Sequence, residues 1–206
     1  MVIDIVNLAG EYQIIGFLDD TEPVGIVKRG YKVLGPLSAI AEVSETQECK
    51  SVAVTIGDNW WRRKIFHNLL KARPELDFPA IKHPSAIVAL TAAIGDGAVL
   101  MADAHVGHAA IVGRFCIVNT GSSVDHDCKM ADFSSIAPGV FMGGLVEIGE
   151  CSHIGVGASI SDRKKIGAHT VVGTGSVVVR DIPDLSVAYG NPARVHRSRT
   201  EGEKYV

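Results

Sequence analysis

This sequence predicts two architectures in one chain: a small α/β lobe over residues 1–82 and a parallel β-helix over 83–179, with a closing segment and tail over 180–206. Three observations predict them. Up to about residue 82, short β-rich runs alternate with stretches of helical spacing, the pattern of a small parallel α/β unit. From Val88 to Val178, a step of six residues meets an aliphatic residue or Met at every stop, without a slip. Beside that column, glycine recurs at the following position, and small residues such as Ala98, Ala104, Cys116, Ser122 and Cys128 recur two positions before it. A sustained period of six is the signature of a β-helix built from hexapeptide repeats.

Within the lobe, "VIDIVNLA" (2–9) presents an apolar helical face. "YQIIGFLDD" (12–20) reads as a short β-run ending in Asp19 and Asp20, and "SVAVTIGDN" (51–59) repeats that plan around Gly57. Between them, "GPLSAIAEV" (35–43) predicts a short helix begun by Pro36 near its first turn. "NWWRRKIFHNLLKAR" (59–73) predicts a longer helix, with Trp61, Ile65 and Leu69 spaced by four and Asp58 or Asn59 as its N-cap; Pro74 marks its end.

In the repeat, the large aliphatic column points inward and stacks coil on coil, so each coil buries a face its neighbour completes. Each such side chain contributes about 1.5–3 kcal/mol on full burial. The small column also points inward, which makes Cys116 and Cys128 core residues. The glycines are expected at tight turns, where positive φ is costly for other residues.

Composition narrows the function. A net charge of −3 and charge runs no longer than "DRKK" (162–165) offer nothing for nucleic acid. No stretch approaches the roughly 18 apolar residues of a membrane span, and "MVIDIVNLAG" lacks the basic start and cleavage site of a signal peptide. Cys49, Cys116, Cys128 and Cys151 form no CxxC pair or framework spacing, which fits a reducing cytoplasm.

The chemically richest stretch is "SSVDHDCK" (122–129). Counted from Val124, His126 is the third residue of its hexad and faces out of the prism. Asp127 follows it, and a carboxylate beside an imidazole favours the cationic form and so strengthens the base.

"IVNTGSSVDHDCKMADFSSIAPGVFMGG" followed by "IGECSHIGVGASI" resembles the left-handed β-helix sugar acetyltransferases, of the sialic acid O-acetyltransferase and UDP-amino-sugar N-acetyltransferase type. "IIGFLDD", "VTIGDNWWRRKI", "KHPSA" and the closing "YGNPARV" extend the resemblance over roughly residues 1–195, and "VDHDC" and "GNPA" are its most specific parts. The resemblance implies a left-handed β-helix behind a truncated Rossmann-like lobe. It also implies a cytoplasmic homotrimer that moves acetyl from acetyl-CoA to an amine or hydroxyl of a sugar or nucleotide-sugar acceptor. His126 would be the general base and Asp127 its acidic partner. Ser135, Val156 and Thr174 fall on acetyl-CoA contacts, and Asp19, Asp20 and Gly57 on acceptor contacts. At Ser135 the family carries a second histidine; a hydroxyl still donates one hydrogen bond, over a shorter reach, and His153, one coil later, could compensate. The family's lobe opens with a strand and a Gly-rich phosphate loop, whereas this sequence starts at the helix after them. Truncation, a late start, or an acceptor not held through its phosphates would each account for that.

With three hexads per coil, residues nine apart lie on opposite sides of the prism. His126 and Ser135 must then come from neighbouring subunits if both touch one acetyl-CoA. Two other readings stand beside the acetyltransferase. A β-helix can hold zinc between subunits, as γ-type carbonic anhydrases do, and His105, His108, His126 and His153 supply imidazoles. Their spacing does not resemble that family's ligands, so no metal is expected. The other reading is a non-catalytic β-helix that binds a ligand or partner.

Overall fold

The computed structural model describes residues 1–204, so the last two residues of the expected tail lie outside the described residues. The lobe opens with helix α1 (Val2–Ala9), which ends where Gly10 turns to φ 68° and donates its N–H to Val6 O. Ile5 and Val6 bury their face against Ile81, Val99 and Met101. Strand β1 (Phe17–Leu18) pairs parallel with β3 (Tyr31–Gly35), and β3 pairs antiparallel with β2 (Val27–Lys28). The β2–β3 hairpin was not expected, because both residues of β2 are exposed and carry no alternation. Pro36 precedes a 3₁₀ turn (Leu37–Ala39) that runs into α2 (Ile40–Thr46).

Two expectations for the lobe need correction. Residues 51–56 do not form a strand; they touch the segment around Asp77 through one parallel bridge at Ser51. Helix α3 (Asn59–Ala72) forms where expected, and its N-cap is Asp58, whose carboxylate accepts from Trp61 N at 2.9 Å. Its buried face, however, is Asn59, Arg62, Phe66 and Leu69, while Trp61 is exposed. The polar pair can be buried because it is satisfied by backbone carbonyls. The Arg62 guanidinium donates to Ile56 O, Gly57 O, Phe115 O and Phe133 O, and Asn59 Nδ2 donates to Cys151 O and Ser152 O. Around this latch, Phe66 and Phe78 pack on the stacked rings of Phe115 and Phe133, whose centroids lie 5.3 Å apart.

The second part is a parallel β-helix with three faces. Among the described residues, the first face begins at Ile81–Lys82, the second at Ile87–Val88 and the third at Ala93–Ile94, each continuing eighteen residues further on. The aliphatic column is almost completely buried from Leu100 to Val178, and Cys116 and Cys128 are buried beside it, as the repeat requires. Val88 and Ile94, in the first coil, are only partly covered. The hairpin Ser186–Gly190 with Ala193–Ser198 extends the first face beyond Val171–Val172, so "YGNPARV" does sit in a closing segment.

The glycine column has a different cause from the one expected. Positive φ falls two positions later, at Asp127 (57°), Phe133 (60°) and Gly139 (67°), and residues of several types tolerate it there. A Cβ on Gly107 would lie 2.9 Å from His126 N, and one on Gly149 2.4 Å from Ala168 N. Glycine there lets successive coils close on each other.

Candidate functional site

His126 sits on the turn between the second and third faces, after Ser123–Val124 and before Lys129–Met130. The turn is pinned to its neighbours: Asp127 N donates to His108 O at 2.9 Å, and Leu145 N donates to His126 O at 3.0 Å. Asp127 takes the left-handed conformation found at every sixth residue from Gly97 to Gly175, and Asp adopts it more readily than most residues. Its carboxylate stands 2.9 Å from His126 Nδ1. Asp125 accepts from His126 N at 2.7 Å.

The side chain of His126 is 53% exposed, so the imidazole faces outward, as the register predicts. Its other edge lies over Gly144, one coil further, where a Cβ would come within 2.3 Å of Nε2. The hydrogen bond that Asp127 accepts raises the His126 pKa above the ordinary imidazole value, and the charges of Asp125, Asp127 and Asp162 add to the shift. With Nδ1 engaged, Nε2 is the nitrogen placed to take a proton.

A second polar group lies on the first face, under the lobe. Ser135 and His153 occupy adjacent rungs, and Ser135 Oγ is 2.9 Å from His153 Nδ1. They line a cleft of ≈ 480 Å³ with Gly57, Asp58 and Trp61 at the start of α3, Asn119 on the floor and Lys204 from the tail. Burial depresses the His153 pKa to about 4; the Arg62 and Arg199 guanidiniums push the same way, and Asp58 opposes them. The imidazole is therefore uncharged at neutral pH.

The remaining expected residues fall elsewhere. Val156 and Thr174 stand one coil apart on the corner between the first and second faces, where Gly175 N donates to Val156 O at 2.8 Å. Asp19 closes a local turn by accepting from Thr21 N and Oγ1, and Asp20 accepts from Leu37 N at the start of the 3₁₀ turn. Gly57 and Ser135 thus share a cleft, whereas His126 with Asp127, the Val156–Thr174 pair and Asp19–Asp20 occupy three other places on the same chain. The four histidines do not converge. His105 pairs with Ser123, His108 with Thr91, His126 with Asp127 and His153 with Ser135. Among the described residues, no three His, Cys, Asp or Glu side chains are grouped to hold a metal ion. Burial pushes the Cys116 thiol up to about 11 and Cys151 to about 12, and raises Cys128, so these are not thiolates at neutral pH.

Sequence reasoning missed Gly144, Arg62 and Trp61. The pair "GG" at 143–144 was a usable signal, because only the first of those glycines belongs to the repeat column. Arg62 had none, since an arginine on an amphipathic helix reads as solvated until its carbonyl partners are known.

Residues 1–69 match the family model of the PglD N-terminal domain. The acetyltransferase domain of PglB from Neisseria gonorrhoeae FA1090, in complex with acetyl coenzyme A, superposes with a TM-score of 0.87 at 36% identity, over 95% of this chain and 92% of that one. PerB from Caulobacter crescentus, in complex with CoA and GDP-perosamine, gives 0.88 at 34% identity, over 95% and 91%. GDP-perosamine N-acetyltransferase of Escherichia coli O157:H7 is 36% identical over 119 residues, 55% of this chain and 54% of that protein. The chain spans about half the length of the curated relatives it matches. No helix among the described residues is long and apolar enough to cross a membrane.

Proposed function

This chain belongs to the hexapeptide-repeat family of β-helix sugar acetyltransferases, and from that premise we propose that it moves the acetyl group of acetyl-CoA directly to the amine of a nucleotide-linked sugar. The observation that carries the proposal is the outward imidazole of His126, with Nδ1 held by Asp127 and Nε2 presented above Gly144. The amine nitrogen attacks the thioester carbonyl, forming a C–N bond while the C–S bond breaks. His126 Nε2 takes the nitrogen's proton, and the departing thiolate leaves as CoA–SH after accepting a proton from the imidazolium. Asp127 acts through His126, as a positioning residue that stabilises this cation. General-base catalysis of this kind supplies about 10²–10⁴-fold.

Ser135, Val156 and Thr174 supply acetyl-CoA contacts, and Gly57, Asp19 and Asp20 belong to the acceptor side, with the lobe of residues 1–82 as its platform. His126 and Ser135 lie on different sides of one prism, so a site that uses both needs two protomers. A homotrimer provides three such sites. The reaction belongs in the cytoplasm, where acetyl-CoA is available.

A thiol-release assay with acetyl-CoA and a panel of nucleotide-linked amino sugars tests the reading. We expect turnover with at least one of them. His126→Ala should lose about 10²–10⁴-fold in kcat while CoA still raises its melting temperature. Full activity in His126→Ala overturns the assignment of the base. A protein that CoA does not stabilise is a binding scaffold instead, and an active monomer overturns the shared site.

A further inference from the structure

The outward ladder of the first face runs Ile81, Val99, Ile117, Ser135, His153, Val171. Every rung is aliphatic except Ser135 and His153, which line the cleft beside α3 together with Ile117. Ser135 is 4% exposed, and the lobe and tail cover His153 in part. Covering a hydroxyl and an imidazole on an otherwise apolar ladder costs free energy unless they are hydrogen-bonded, and the 2.9 Å contact between Oγ and Nδ1 is one such bond. It has a polarity that can serve a ligand. When Nδ1–H donates to Ser135 Oγ, the serine keeps its own hydrogen to offer into the cleft.

We infer that Ser135 and His153 work as one relay, in which His153 fixes the Ser135 hydroxyl toward the acyl carbonyl oxygen of a bound thioester. The inference rests on the acetyl-CoA reading above and adds to it the residue that orients the donor. His153 touches no substrate and is a positioning residue. The charged groups around it are Asp58 and Arg62 from α3, Arg199 beyond the closing hairpin, and Lys204 across the cleft. Burial and the two arginines keep it uncharged, so it orients the hydroxyl without adding a cation of its own. As the amine adds to the carbonyl carbon, negative charge gathers on the carbonyl oxygen, and a donor already aimed there stabilises that transition state before the C–S bond breaks.

The test compares binding of acetyl-CoA with that of S-ethyl-CoA, a thioether in which the carbonyl is a methylene, by calorimetry on the full-length protein. The wild type should prefer acetyl-CoA by about three- to tenfold, the range of one net hydrogen bond. Ser135→Ala and His153→Leu should each erase that preference without changing affinity for S-ethyl-CoA. The double variant should be no worse than either alone, and His153→Asn, whose amide can stand in for Nδ1–H, should restore part of it. Equal wild-type affinity for the two ligands overturns the relay and leaves the acetyl-CoA reading intact. So does a His153→Leu variant that folds and keeps the preference, or loss of both affinities together in Ser135→Ala. A wild type that binds neither ligand defeats the acetyl-CoA reading and the relay with it.

Discussion

His126 and His153 stand on one prism and are tuned in opposite directions. The first lies at a corner, exposed, with a carboxylate on Nδ1 that raises its pKa. The second lies on a face roofed by the lobe, with a serine on Nδ1 and guanidiniums behind it, and is depressed to about 4. The fold supplies identical backbone at every coil, so the difference comes from what covers each place. A corner left open, with a carboxylate at hand, raises a histidine's pKa; a face covered by α3 lowers it and leaves a neutral hydrogen-bonding group.

Breaking the cover is expected to have the largest effect. Arg62→Met leaves the buried carbonyls of Phe115 and Phe133 in the lobe–prism latch without this donor, and each unpaired buried acceptor costs about 1–3 kcal/mol. Urea unfolding at pH 7 should show a loss of 3 kcal/mol or more, on the order of two such groups. Unchanged stability would mean that water replaces the guanidinium.

The acid side of the stability curve sharpens the contrast next. The unfolded chain protonates His153 near 6.5, whereas the folded chain does not until about 4. The folded state therefore loses stability as pH falls through that window, by up to about 3 kcal/mol. His153→Leu should remove this slope, read as the difference in melting temperature between variant and wild type from pH 7 to pH 4.

At the open corner, Gly144→Ala should push the His126 ring out of place. Kcat should fall by about 10²-fold, as a misplacement of about 1 Å can do, with the melting temperature little changed. Normal kcat would show that the ring has a second productive position. The smallest effect expected is that of Asp127→Asn. The carboxylate holds the His126 pKa up, so its loss should move the acid limb of kcat/KM to lower pH and cut the rate by about tenfold, less than the roughly 10²–10⁴-fold that the base itself supplies. An acid limb that stays in place would assign the shift to Asp125 and Asp162.

The repeat was legible because a β-helix makes each position answer only to the coils directly above and below it. A period of six in the sequence therefore became a period of six in space, and it was enough to put Val124 and Cys128 inside and His126 outside. The lobe was less legible. Its helix α3 faces the prism with Arg62 rather than Ile65, and residues 51–56 pair through a single bridge, because both depend on carbonyls and edges far away in sequence. The glycine column was visible but misread, since one chain of letters does not show how near the next coil's backbone comes.

By itself, then, the sequence determined the prism, its coil length and the outward direction of the candidate base, all of which follow from local periodicity. Only the tertiary structure decided that Gly144 makes room for the imidazole, that Asp127 bends back to Nδ1, and that the lobe roofs Ser135 and His153 into one cleft. Those are contacts between groups eighteen or more residues apart in sequence, or bends of the backbone, and their energies depend on distances that no residue order specifies.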